Sequence, residues 1–276
     1  MERLYKMNKL SKEETFDLAY KGNSEAMVIV GGYYNKLATE GEYNDDYFQE
    51  AKKWYSLAAE KGNLIGAYRY ILCLNFEAHT AMQIDFRGSK GNWELLLQKT
   101  VQLLDEINQK ELDIKSIDFD LLIEKKNTSI YYLSVINYFS DNVSNACNLI
   151  TQNDDDRSKL LYLLCQIQIS LKKIQDENAN KQDVIFFENI MKSLKEFVEQ
   201  NEDYRQRKKA FQENIIYNMA VLSLCKSYSY KEQHDNAVNL LNLILSSNQN
   251  NESDNMLIEE LSHYKKKIFG GYKYIE

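Results

Sequence analysis

The distribution of proline and glycine constrains this chain more than any other feature of its sequence. The 276 residues include no proline, and the 178 positions from Asn92 to Phe269 include no glycine. These two residue types are the strongest interrupters of regular structure, and Leu, Ile, Lys, Glu, Gln and Asn fill the stretch instead. The sequence therefore predicts one helix after another, joined by polar loops, in an all-α fold without paired strands.

Charge and hydropathy disfavour several classes of partner. The formal net charge is −7, with 12 basic and 13 acidic residues before Asn92 and 22 basic and 28 acidic residues after Gly91. Nucleic-acid binding usually needs a basic face, so no nucleic-acid partner is expected. Residues 1–12 lack the apolar core of a signal peptide, and the most apolar stretch, residues 160–171, is too short to cross a bilayer. We expect a cytoplasmic protein without a membrane partner, although an exported protein numbered from its mature end would look the same.

The residue types that carry chemistry show no spacing typical of a catalytic or metal site. The three histidines are far apart and lack the H-x-x-x-H spacing of helical zinc ligands. Residues 87–91 lack the G-K-[ST] of a phosphate loop, and residues 154–156 are anions placed just before a helix that begins near Arg157. We expect no enzyme activity, no cofactor and no metal. The cysteines stand singly and are predicted to be small buried hydrophobes: Cys73, Cys147, Cys165 and Cys225.

A short motif near the N-terminus recurs with a period typical of helical repeats. Residues 19–23, Ala-Tyr-Lys-Gly-Asn, return 40 positions later as Ala-Glu-Lys-Gly-Asn. Stacked helix pairs have periods of this size. Gly22 and Gly62 are predicted to end helices in the left-handed conformation, and residues 11–14, Ser-Lys-Glu-Glu, form a capping box that begins the first clear helix.

The repeated segment resembles the Sel-one-like repeat family, which is related to the tetratricopeptide repeats. The resemblance is clearest over residues 19–76, and it departs from the family in a longer loop before Gly41 and in Val30, where the family has leucine. It implies closely packed helix pairs with Trp54 buried between them. The matching positions are Gly22, Ala26, Val30-Gly31-Gly32-Tyr33-Tyr34, Gly41, Asp45-Asp46, Ala51, Trp54-Tyr55, Ala58-Ala59 and Gly62.

Residues 211–246 resemble a tetratricopeptide repeat more distantly, and apolar residues at helical spacing predict further helices around them. We therefore expect an α-solenoid, a right-handed superhelix of antiparallel helix pairs. A Sel-one-like region at residues 1–91 is expected to continue into a further helical array at residues 92–276. The predicted stripes are Trp93, Leu97, Val101, Leu104 and Ile107; Leu160, Leu164, Ile167, Leu171 and Ile174; Phe187, Ile190, Met191, Leu194, Phe197 and Val198; and Leu257, Leu261, Tyr264 and Ile268.

The resemblance implies a non-catalytic scaffold or adaptor that binds a protein or peptide through a helical-repeat surface. Two alternatives stay open: a bacterial immunity or chaperone-type protein that masks a toxin or effector, and an enzyme or regulator with a small-molecule pocket. A basic cluster gives secondary candidates for partner contact, namely Arg205, Arg207, Lys208 and Lys209. The family's inward-facing positions, carried over residue by residue, give the main candidates: Val28, Asn35, Lys36, Arg69, Cys73, Glu77, Asn214, Tyr217, Val221 and Leu224.

Overall fold

The structure, a computed structural model, describes residues 10–110, 116–174 and 180–200 together with Ser223. Across these residues the regular structure is helical and includes no strand, which confirms the all-α fold class. The helices are α1 (Lys12–Tyr20), α2 (Ser24–Thr39), α3 (Asp45–Glu60), α4 (Leu64–Ile84), α5 (Lys90–Lys110), α6 (Phe119–Phe139), α7 (Val143–Ile150), α8 (Asp156–Ile174) and α9 (Lys181–Gln200).

Helices that follow one another in the chain pack against one another. The chain divides into two compact units, residues 1–133 and 134–276, and the division falls within α6. In the first unit each of α1 to α4 packs against the next helix, and α2 also contacts α4. In the second unit α7 packs on α8 and α8 packs on α9. The predicted limit between a repeat region and a further array at residues 91 and 92 stays a prediction.

Two turns with the same geometry separate α1 from α2 and α3 from α4. Gly22 and Gly62 have φ angles of 93° and 75°, which confirms their predicted left-handed conformation. The N–H of Asn23 donates to Leu18 O, and that of Asn63 donates to Ala58 O, both at 3.0 Å. The two glycine N–H groups donate to Ala19 O and Ala59 O, so both turns are complete Schellman motifs.

A third turn of the same kind contains no glycine. Asp141 follows α6 with a φ of 59°, in the left-handed region that side chains other than those of Asn and Asp seldom adopt. The N–H of Asn142 donates to Asn137 O at 2.9 Å, and the N–H of Asp141 donates to Tyr138 O at 3.3 Å. The α6–α7 turn is therefore also a Schellman motif. Sequence analysis missed it because an Asp-Asn pair stands where the first two turns have Gly-Asn.

Side-chain caps begin several helices as the sequence predicts. Ser11 caps α1: its Oγ accepts from the Glu14 N–H at 3.1 Å, and Glu14 Oε2 accepts from the Ser11 N–H at 2.8 Å. This exchange confirms the capping box. Before α8, Asp155 Oδ1 accepts from the Ser158 N–H at 3.0 Å, so the acidic run of residues 154–156 stabilises a helix start. Asp85 binds the Gly88 N–H at 3.0 Å in the turn before α5, as a plain loop would.

The core of the first unit depends on small residues that let large aromatic rings approach. Trp54 is 4% exposed and packs with Ala19, Ala26 and Val30 of α1 and α2, which confirms its predicted burial between helices. A methyl group at Gly31 would stand 2.7 Å from the Tyr55 ring. The α2–α3 packing therefore requires glycine at this position.

The buried side of α5 differs from the predicted stripe. Trp93 and Ile107 are buried as expected, but Leu96 and Leu103 are also fully buried, whereas Leu97, Val101 and Leu104 are only half-buried. Thr100 also lies on the buried side. Its hydroxyl can be buried there because it donates to Leu96 O at 2.7 Å. At three of its five positions the predicted stripe was therefore wrong by one residue, because Leu96, Thr100 and Leu103 are buried in place of Leu97, Val101 and Leu104. The α8 and α9 stripes agree with their predictions at Leu160, Leu164, Ile167, Ile174, Phe187 and Leu194, which are buried.

Candidate functional site

The α4 stripe of candidate residues has a buried centre and two different ends. Arg69 is exposed. Cys73, one turn further on, is 5% exposed and packs with Ala38, Phe48 and Tyr55, so in this structure its side chain belongs to the core. Burial, followed by the nearby Glu77 charge, raises the pKa of the Cys73 thiol to about 12. The three positions lie on one side of α4, but only Arg69 offers a freely accessible side chain.

Glu77, at the other end of the stripe, is held by α3. Lys52 Nζ donates to Glu77 Oε1 at 2.5 Å, and Gln49 Nε2 donates to the same oxygen at 3.3 Å. Both charged side chains of the ion pair are only about a quarter exposed or less. Such a partly desolvated pair holds its geometry better than a surface pair does. Glu77 therefore fixes α4 against α3, and its carboxylate stays partly exposed.

The α2 candidates range from packed to fully exposed. Val28 is half-buried and contacts the cores on both sides of α2. Asn35 is half-buried, and its main-chain carbonyl accepts from Thr39 Oγ1 at 3.1 Å. Lys36 is exposed and pairs with Glu40 at 3.2 Å within the same helix. Lys36 is therefore the α2 position whose charge is most accessible to a partner.

Val28 of α2 and Cys73 of α4 both pack in the core cluster that includes Tyr55. The Tyr55 ring lies directly under Gly31, and its hydroxyl is 3.8 Å from the position of a methyl group at Gly32. Burial raises the pKa of Tyr55 to about 12, and the Arg69 charge opposes that shift because the guanidinium lies close by. We name this region the α2–α4 surface, defined by Asn35, Lys36 and Arg69 around the Gly32 position.

A second feature of the first unit is an open crevice of about 450 Å³ between α3, α4 and α5. Its lining includes Glu60 of α3, Tyr70 and Ile71 of α4, and Lys99 and Gln102 of α5. The lining of the crevice mixes charged and amide groups with apolar side chains. None of the predicted site residues lines it.

A third feature of the first unit is a pair of exposed aromatic rings. Tyr43, before α3, and Phe76, on α4, are 50% and 44% exposed, and their ring centroids are 5.6 Å apart. Neither residue was among the candidates predicted from the sequence. Their signal is positional, because Tyr43 lies in a polar loop and Phe76 directly precedes the candidate Glu77.

Eight predicted residues lie outside the described part of the chain: Asn214, Tyr217, Val221, Leu224, Arg205, Arg207, Lys208 and Lys209. The distant tetratricopeptide-like match at residues 211–246, the last predicted stripe and Cys225 lie there too. Within the described ranges, no three His, Cys, Asp or Glu side chains are placed to hold a metal ion. Among the same residues, no helix is long and apolar enough to cross a membrane.

No family model matches this chain, and no curated protein matches its sequence. The Sel-one-like assignment therefore stays a prediction that depends on the residues themselves.

Proposed function

We propose that this chain is a non-catalytic, cytoplasmic scaffold that binds a protein or peptide partner through the α2–α4 surface. The observation that carries the proposal is the repeated helix–turn–helix geometry. The turns at Gly22 and Gly62 are 40 residues apart and share the same pair of hydrogen bonds, and Asn23 and Asn63 then cap the next helix in the same way. Repetition of this kind is how helical-repeat proteins build an extended binding surface.

The packing of α2 and α4 supports the Sel-one-like interpretation within the same proposal. These helices follow the two equivalent turns, and they contact each other as well as α3, which lies between them in the chain. Neighbouring repeats of a solenoid place their equivalent helices side by side. We infer that further pairs extend this order in an α-solenoid.

The chemistry of the α2–α4 surface suits a protein partner. Lys36 and Arg69 present cations from α2 and α4, and Asn35 adds an amide next to Lys36 in the chain. Tyr55 is buried beneath these groups and supports the helices that carry them. Charged and amide groups on a fixed helical frame suit a protein interface, in which arginine is enriched.

The test begins with affinity capture of a partner from the native host, followed by titration of the purified pair. The double variant Lys36→Glu, Arg69→Glu should weaken binding by about tenfold or more if either residue is a contact anchor. The control is Lys53→Glu, Lys192→Glu, which changes the net charge equally at two exposed lysines elsewhere. Equal affinity of the double variant and the wild-type protein, both folded, would refute binding at this surface.

A second candidate function follows from the crevice between α3, α4 and α5. Its volume of about 450 Å³ lies within the range of small-molecule sites, which favours a regulator or enzyme with a bound ligand as the runner-up. A metabolite screen by thermal shift would test it. A hit abolished by Gln102→Leu and retained in Lys36→Glu, Arg69→Glu would favour the pocket. Masking of a toxin or effector would be a special case of the scaffold, and the captured partner would identify it.

A further inference from the structure

Two exposed aromatic rings form the most distinctive surface of the first unit. Phe48 of α3 is buried, and the Phe76 ring packs over it with centroids 5.0 Å apart. Tyr43 contacts both rings, at 6.1 Å from Phe48 and 5.6 Å from Phe76. We name this three-ring cluster the Tyr43 patch. Its base is core, and its outer two rings are half open to solvent.

Carboxylates surround the Tyr43 patch. The Tyr43 hydroxyl donates to Asp45 Oδ1 at 3.2 Å, and Gln49 Nε2 lies between Asp45 and Glu77, 3.5 and 3.3 Å from their oxygens. Burial, together with the nearby charges of Asp45 and Glu77, raises the pKa of Tyr43 to about 12. Glu42 and Asp46 are exposed next to these residues in the chain.

The charge of the surroundings decides which partner suits this patch. Faces of aromatic rings attract cations, and carboxylates beside them add to the attraction. The guanidinium group combines a planar stacking surface with several N–H donors, so it can cover a ring and bind a carboxylate together. Phosphate backbones and anionic lipid surfaces carry the wrong charge for such a site.

We propose that the Tyr43 patch is a docking site for an arginine-bearing segment of a protein partner. An arginine side chain stacks on Tyr43 and Phe76 while its N–H groups donate to Asp45, because Glu77 is already paired with Lys52. This inference deepens the proposed scaffold function and rests on it, because it names the chemistry of the partner segment. It also extends the binding region from the α2–α4 surface to the loop before α3.

The experiment uses the full chain and fluorescein-labelled octa-arginine, with octa-lysine and octa-glutamate as comparison peptides, in fluorescence polarisation at near-physiological salt. Wild-type protein should bind octa-arginine more tightly than octa-lysine and should not bind octa-glutamate. Tyr43→Ser, Phe76→Ser should weaken octa-arginine binding by about fivefold or more, as expected for two cation–π contacts. The matched control, Ile84→Ser, Ile123→Ser, removes two exposed apolar side chains elsewhere and should keep wild-type affinity.

A second pair of variants separates local recognition from the overall negative charge. Asp45→Asn and Asp17→Asn remove the same charge from two exposed positions, one beside the patch and one on α1. Only Asp45→Asn should weaken octa-arginine binding, and circular dichroism should show equal helicity for both. Equal loss in both variants, or octa-lysine binding as tight as octa-arginine, would overturn the proposal. The scaffold function fails separately, because its test uses the native partner and variants at Lys36 and Arg69.

Discussion

Trp54 shows how a single side chain determines the packing of the first unit. It is 4% exposed, and Ala19, Ala26 and Ala58 surround it with small side chains. Tyr20 contacts it edge-on, with ring centroids 5.2 Å apart. The indole Nε1 is buried and has no hydrogen-bond partner in the structure. The value of Trp54 to the fold therefore lies in its volume and apolar area.

Replacement of Trp54 by alanine should lower the free energy of unfolding by about 3–5 kcal/mol, because a buried large aromatic leaves a cavity that its neighbours fill only in part. Trp54→Phe should cost less, since it keeps much of the area and removes a buried N–H that has no partner. Urea unfolding measures both. Tyr20→Ala, at a neighbour that is 73% exposed, is the control and should cost much less. A Trp54→Ala midpoint equal to that of wild type would contradict the packing described.

His79 is a second residue whose surroundings have a measurable effect. Its ring packs edge-on against Trp93 and Tyr132, with centroid distances of 5.0 and 5.7 Å. Burial, and then the Lys125 charge, lower the pKa of His79 below its ordinary value of 6.5. The folded state therefore favours the neutral imidazole.

Because the pKa of His79 is lowered in the folded state, acidification should lower the free energy of unfolding. Below about pH 6.5 the unfolded chain binds a proton at this imidazole that the folded chain still excludes. The contribution of His79 is thus present above the unfolded pKa and is lost as pH falls towards the folded pKa. Unfolding of wild type and His79→Phe between about pH 7.5 and 5.5 measures this, and wild type should lose more stability than the variant. Parallel pH profiles would contradict the lowered pKa.

At the scale of elements, three Schellman turns in the described part of the chain end α1, α3 and α6. Gly22, Gly62 and Asp141 each follow a helix in the left-handed conformation, and the next residue is asparagine every time. Sequence analysis recognised the first two because glycine marks such positions. The third was missed because aspartate is common in many other places, and only the backbone shows its φ.

Alanine substitution should separate backbone conformation from packing at these turns. At Gly22 and Gly62 a methyl group would meet no atom within 4 Å, so Gly→Ala should cost about 1–2 kcal/mol through φ alone. Asp141→Gly should stabilise the protein by about 0.5–1 kcal/mol for the same reason. Gly32→Ala, inside α2 and with its nearest contact at 3.8 Å, is the opposite control and should also stabilise. Thermal unfolding ranks the four variants.

The α5 helix shows that apolar periodicity alone does not identify the buried side of a helix. Its apolar residues are numerous enough to define two overlapping stripes, and the sequence alone does not choose between them. In the structure Leu96, Thr100 and Leu103 are buried and Leu97 is only half-buried. A threonine at the centre of a buried side is invisible to an apolar pattern, because its hydroxyl is satisfied by its own helix.

For the molecule as a whole, the sequence predicted the fold class but only part of the surface. Missing proline, sparse glycine and helical periodicity were sufficient for the all-α fold, since each is a local property. The candidate site needed to be known in three dimensions. Helical spacing is sufficient to put Arg69, Cys73 and Glu77 on one side of α4, but the burial of Cys73 and the Lys52–Glu77 ion pair depend on where α3 lies.

Three buried thiols in the described part of the chain can report local opening of the structure. Cys73 lies in the first unit and Cys147 and Cys165 lie in the second, all of them free, and burial raises the pKa of each thiol. Only a thiolate reacts readily with iodoacetamide, so alkylation at neutral pH should wait for local opening. Mass spectrometry that follows each cysteine-containing peptide over time should give one slow rate for Cys73 and another for the Cys147 and Cys165 peptides. The ratio of these alkylation rates would show whether the two units open together or separately. Alkylation of Cys73 at the rate of free cysteine would contradict its burial.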